Sequence, residues 1–245
     1  MARFVLLNTR TFAGGADLTS NENKIELAAE YEEKSTTNFG SGGWEECIAG
    51  LGSAKVTAEG QWEAGDSGKV DDNLWADLGG VGALTVCPES ANAGELAYLT
   101  RALRGSYGLG DAVGEVAPWS ANFASAWPIV RGFSLHPPGT ARTADGTGTA
   151  VQHIAVPSGQ YLYACLHVLS VSGTSTPTLT VKVQSDSANN FPSAADQITF
   201  TAATARGGEA LRVAGPVTDT WYRASWTITG TNPSFLFVVS FGVAP

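Results

Sequence analysis

Three histidines, three cysteines and a few adjacent acids are the residues whose types could carry chemistry. His136, His153 and His167 share no metal-ligand spacing. Only Cys165 and His167, at i and i+2, would fall on one face of a strand, and two ligands do not close a tetrahedral site. Cys47, Cys87 and Cys165 are odd in number, widely spaced and without a Cys-x-x-Cys pair, so they read as buried free thiols of a chain folded in reducing surroundings. Gly40-Ser41-Gly42-Gly43 lacks the Gly-x-Ser-x-Gly spacing of a nucleophile elbow and reads as a flexible loop. Gly108 to Glu115 is one residue too long for a nucleotide-binding glycine loop and has no βαβ unit around it, so it reads as a hairpin turn. Glu45-Glu46 and Asp71-Asp72 are adjacent pairs, which point to opposite faces of a strand or diverge on a helix, so neither converges on one substrate atom. The seven tryptophans Trp44, Trp62, Trp75, Trp119, Trp127, Trp221 and Trp226 would suit sugar stacking if exposed, but most sit at alternating strand positions where the core is expected to take them. No active site, cofactor or metal is expected.

The elements that must position these residues are strands. Tyr161 to Val171, Thr178 to Val183, Gln197 to Thr201, Trp221 to Ile228 and Phe235 to Phe241 are β-branched and aromatic runs separated by Gly, Pro, Asn and Ser. Leu179, Val181 and Val183 alternate with Thr180, Lys182 and Gln184, which gives one buried and one wet face as in an antiparallel sandwich or barrel. Residues 24 to 32 alternate Lys24, Glu26, Glu30 and Glu32 with Ile25, Leu27, Ala29 and Tyr31; the Ala/Glu content suits a helix equally well, and the strand is chosen. Asp71 to Gly79 reads as one short helix with an acidic start and a C-terminal glycine.

Composition bounds the function. The 245 residues are 43% hydrophobic, enough for a sizeable core, and carry 14 Lys+Arg against 23 Asp+Glu, a net charge of -9. A free-standing binder of nucleic acid or of an anionic membrane needs a basic footprint, so both are disfavoured. No apolar run approaches membrane-spanning length, and the run Phe4 to Leu7 is too short for a signal-peptide core. Residues 1–127 hold 8 basic and 18 acidic side chains, and residues 128–245 hold 6 and 5. With the Pro/Gly/Thr stretch at 136–149, and a weak repeat matching Leu84-Thr85-Val86 with Ile198-Thr199-Phe200, this predicts an all-β chain of two tandem β-sandwich or barrel domains. The expected division is an acidic domain at 1–135, a linker or exposed loop at 136–149 and a β-sandwich at 150–245.

Set in order, several short segments resemble the major tail (tail-tube) proteins of long-tailed bacteriophages. In the first half these are Leu18-Thr19, Asn23 to Leu27, Thr36-x-x-Phe39-Gly40, Ala49-Gly50-Leu51, Gly60-Gln61-Trp62, Leu74 to Gly79 and the Gly110 to Glu115 turn. In the second they are Val130-Arg131-Gly132, Ser185-Asp186, Ile198-Thr199-Phe200, Ala214 to Val217, Asp219 to Arg223 and Gly230-Thr231-x-Pro233-Ser234-Phe235. The resemblance implies a virion protein assembled in the host bacterial cytoplasm, which stacks as rings of three or six chains into a tube that passes genomic DNA without binding it specifically. Its partners would be itself, a tape measure and a tail terminator, with no membrane. The Thr/Ser-rich second half is equally at home in a capsid-decoration, cement or adhesion module of such particles. In the tube reading Thr36, Thr37, Asn38 and Phe39 are expected at an oligomer interface, with Phe39 as the anchor, and Glu26, Glu30 and Glu32 are expected to line the lumen, where like charge would keep DNA from sticking.

Overall fold

The computed structural model describes residues 5–65 and 68–245. The chain is all-β with one short helix among these residues. Its strands are β1 (Arg10–Ala13), β2 (Ala16–Asp17), β3 (Glu22–Ser35), β4 (Cys47–Gln61), then helix α1 (Val70–Ala76), β5 (Val81–Cys87), β6 (Leu96–Leu109), β7 (Pro118–Ser125), β8 (Val130–His136), β9 (Gly146–Thr147), β10 (Val151–Gln152), β11 (Tyr161–Asp186), β12 (Ala195–Thr199), β13 (Gly207–Ala214) and β14 (Trp221–Ala244). All named pairs are antiparallel, and the path β12-β11-β14-β8-β6-β5-β1-β2 runs unbroken across the molecule.

The second half is built on a folded ribbon. The runs expected as four separate strands fuse into two, β11 and β14, which pair from Tyr161 opposite Ala244 to Asp186 opposite Trp221. Gly173 and Gly230, at φ 126° and 119°, let both strands turn a corner at the same level. Each half of the ribbon then gives its apolar face to one core, with Leu162, Leu166 and Val168 from one side and Leu179, Val181 and Val183 from the other. The alternation read in the sequence holds: Leu179, Val181 and Val183 are buried and Thr180, Lys182 and Gln184 are half-buried. Phe235, Phe237, Phe241 and Tyr222 fill the space between.

The first half has its own core of Leu18, Val56, Leu84, Val86, Trp119 and Phe123, closed at one end by Val70 and Leu74 of α1. Two smaller clusters draw on both halves: Phe12 and Cys87 meet Leu169 and Val238, and Leu99 and Val130 meet Tyr163 and Cys165. The Gly14-Gly15 turn between β1 and β2 lies directly on the backbone of Gly207 and Gly208. A Cβ on Gly208 would sit 2.7 Å from Gly14 Cα, so only glycine allows this approach. The segment 136–149, expected as a linker or exposed loop, lies along the second half: Arg142 bridges Phe235, β9 pairs with β14, and His136 is buried against Trp226 and Phe237.

Candidate functional site

The residues with chemical potential are dispersed. His167 is fully buried at the junction of the halves, where Nδ1 donates to Gly14 O (2.9 Å) and Nε2 accepts from Thr85 Oγ1 (2.9 Å), which itself meets Ser240 Oγ (2.8 Å). Burial lowers its pKa to about 4, against a smaller opposing effect of the Gly14 carbonyl. His136 is lowered to about 4 by the same cause, aided by Arg142. His153 is lowered by burial against Phe133 and Phe241. Cys165 shares the strand face of His167 but turns its thiol to Thr100 O, and among the described residues no group of three or more His, Cys, Asp or Glu converges as a metal site. Cys87 and Cys165 are buried free thiols with pKa pushed up to about 12 by burial; Cys47 is free but exposed, which corrects the expectation that all three are interior. The reason is the strand it opens.

That strand belongs to the most distinctive surface of the molecule. β3 and β4 form a hairpin in which Leu27 opposes Val56 and Tyr31 opposes Gly52. β7 supports β4 only from Lys55 to Gln61. Beyond that level two strands continue alone for about 25 Å at 3.4 Å per residue. None of residues 28–54 is buried. An isolated two-stranded hairpin is marginally stable by itself, and this arm is a projection whose faces no other described residue buries.

Register assigns the faces. Ile25, Leu27, Ala29 and Tyr31 share one face with Ala58, Val56, Ala54 and Gly52; its root is packed on the first core and its outer part continues as an uncovered apolar stripe. Glu26, Glu30 and Glu32 share the opposite face, so the structure brings the three expected carboxylates together. Lys24, which the alternation already places on that face, is joined there by Lys34 and Lys55, which the sequence reading missed; Lys24 lies on Glu59 (3.0 Å) and Lys34 pairs with Glu32. Four glutamates facing three lysines make a mixed face rather than a strongly acidic one.

At the tip, Thr36, Thr37, Asn38 and Phe39 are all exposed, and Phe39 is wholly so. The loop expected to be flexible is tied by its own bonds: Thr36 N donates to Glu46 O (2.7 Å), Glu46 N to Thr37 Oγ1 (2.9 Å), and Gly40 N to Asn38 Oδ1 (2.8 Å). Trp44 (82% exposed), Ile48 and Leu51 add exposed apolar surface along the arm. They were missed because a tryptophan at a strand edge reads as core. Of the seven tryptophans only Trp119 and Trp226 are buried, while Trp44, Trp62 and Trp75 are exposed. The signal available was the glycine-rich run before Trp44 and the Glu45-Glu46 pair after it, which no core strand would carry.

Glu22, at the root of the arm, has its pKa raised to about 7, chiefly by burial, with Thr11 opposing the shift and Asp17 adding to it.

No family model matches the chain, and no curated protein matches it. Among solved structures, a chain of the virion of a native gene transfer agent particle is 19% identical, covers 50% of this chain and 93% of its own, and superposes with a TM-score of 0.39. A chain of the tail of an empty gene transfer agent particle, of C6 symmetry, is 19% identical over 44% of this chain and 80% of its own, at 0.38. The Dit protein of phage SPP1, described as a paradigm of the hub adsorption apparatus in phages infecting Gram-positive bacteria, is 12% identical over 97% of this chain and 99% of its own, at 0.33. All three are virion or phage proteins, and at these scores the likenesses are similarities only.

Proposed function

We propose that the chain is a structural subunit of a long-tailed phage or phage-like tail, which self-assembles through the β3–β4 arm into stacked rings of three or six copies forming a tube for DNA. The observation that carries this reading is the arm: 27 consecutive residues without one buried side chain, ending in Phe39 and Trp44. A folded monomer gains nothing from holding large apolar side chains in water at the end of a two-stranded projection, whereas a neighbouring subunit would recover that area. The segment-by-segment resemblance in the sequence supports the same reading.

In this proposal Thr36 to Phe39 dock on a neighbour, and the charged face of the arm, with Glu26, Glu30 and Glu32, borders the lumen. The lysines on that face moderate the repulsion of DNA, so passage without retention depends on a near balance of charge rather than on a uniformly acidic wall. A tape measure and a tail terminator would be partners at the two ends of such a tube. Negative-stain microscopy of the purified protein tests the assignment. Rings or stacks of three or six chains are expected. A chain that remains monomeric up to its solubility limit, or that coats expanded capsids instead, contradicts it.

A further inference from the structure

A second exposed aromatic cluster lies away from the arm, around Asp71. Trp62 Nε1 donates to Asp71 Oδ1 (3.0 Å), and Tyr107 OH donates to the same oxygen (2.7 Å). Trp75, one turn on from Asp71 on the same face of α1, meets the Tyr107 ring edge-on at 6.4 Å. Trp75 is 65% exposed and Trp62 37%, so both indoles present ring surface to water. Both aromatic donors bind one carboxylate oxygen, which leaves Oδ2 without a hydrogen-bond donor among the described residues and able to accept from an incoming group.

Two features of this cluster restrict what can cover it. The rings lie beside a carboxylate that two of them bind, so a purely apolar partner or a lipid would bury a charge without a counter-charge in the contact. The nearby acids Asp71 and Asp72 disfavour an anionic polymer, as nucleic acid or a sulfated chain would be. A neutral saccharide satisfies both: one face of a pyranose ring is a patch of C–H groups that stacks on an indole, and its hydroxyls donate to a carboxylate. We infer that Trp75, Trp62, Tyr107 and Asp71 form a surface platform for a neutral oligosaccharide. The inference does not depend on ring assembly, since none of these residues lies on the arm.

The full chain is titrated into maltohexaose, cellohexaose and chitohexaose, with a heparin hexasaccharide as the anionic control, and binding is read by ligand-observed saturation-transfer NMR. At least one neutral probe is expected to bind, with the strongest transfer to ring C–H protons. Trp75→Ala should weaken that binding by about tenfold, Trp75→Phe by much less, and Trp44→Ala on the arm not at all. Failure of all three neutral probes, stronger binding of heparin, or an equal loss in Trp44→Ala would overturn the inference. So would full retention of binding in Trp75→Ala. Because Trp75 is largely exposed, its replacement should leave the melting temperature unchanged, which separates lost binding from lost folding.

Discussion

The junction between the halves and the arm are built from opposite materials. At the junction, Gly14 and Gly208 meet backbone to backbone, His167, Thr85 and Ser240 share a buried chain of hydrogen bonds, and two apolar clusters span both sides. On the arm every side chain is reached by solvent, and its polar bonds are local. The first region therefore determines whether the chain folds, and the second can change without affecting that. Stability and assembly should separate cleanly by position.

The sharpest way to break that comparison is to truncate one aromatic in each region. Phe12→Ala empties a fully buried site at the junction and should cost about 3–5 kcal/mol in chemical denaturation, whereas Phe39→Ala should stay within about 0.5 kcal/mol. Comparable losses at both positions would mean that the arm is part of the fold.

Acid should act strongly on the buried histidines. His136 and His167 have folded pKa values near 4, below the usual 6.5, so the unfolded chain takes up protons between pH 6.5 and 4 that the folded chain refuses. Their stabilisation is complete above pH 6.5 and is lost as pH falls towards 4, by on the order of 3 kcal/mol each. Glu22 works in the other direction: raised to about 7, it favours the folded state as pH falls from 7 to 4.5 and offsets part of the loss. Melting temperature should fall with acid in the wild type and more steeply in Glu22→Gln, which cannot take up the compensating proton. A flat profile in both would contradict the burial described for the histidines.

Much of this division was legible in the sequence, but only where a pattern is local. The alternation of Leu179, Val181 and Val183, the helix near Asp71, the hairpin turn after Gly108 and the acidic strand at 24 to 32 were each readable because period and turn residues specify them over a few positions. The continuity of β11 and β14 was not. Gly173 to Pro177 and Gly230 to Pro233 look like strand ends, and only their mutual pairing reveals a corner in one ribbon. The exposure of Trp44 and Tyr31 was hidden for a related reason: alternation names a face, but whether a third strand covers it depends on where β7 stops.

Smaller effects sharpen the contrast. Gly208→Ala places a methyl group within 3 Å of the Gly14 backbone and should cost about 1–3 kcal/mol through displacement of the β1–β2 turn, read as a lower denaturation midpoint. Replacement of Glu26, Glu30 and Glu32 together by Lys should leave the midpoint nearly unchanged. On an arm face that already holds Lys24, Lys34 and Lys55, it creates a basic stripe that should retain DNA in a salt-dependent way in gel-shift assays. A stable variant without DNA retention would place that face away from any DNA path.

Cys47 offers the most direct test of the central claim, that the arm is a docking element. It is the exposed thiol at the outer end of the apolar arm face, while Cys87 and Cys165 are buried. Maleimide labelling of the native chain, followed by mass spectrometry, should modify Cys47 readily in dilute protein and progressively less as the concentration rises and rings form, with Phe39→Ala remaining labelled throughout. Labelling of Cys47 at the same rate in dispersed and assembled protein would show that the arm stays in solvent after assembly and would contradict the account.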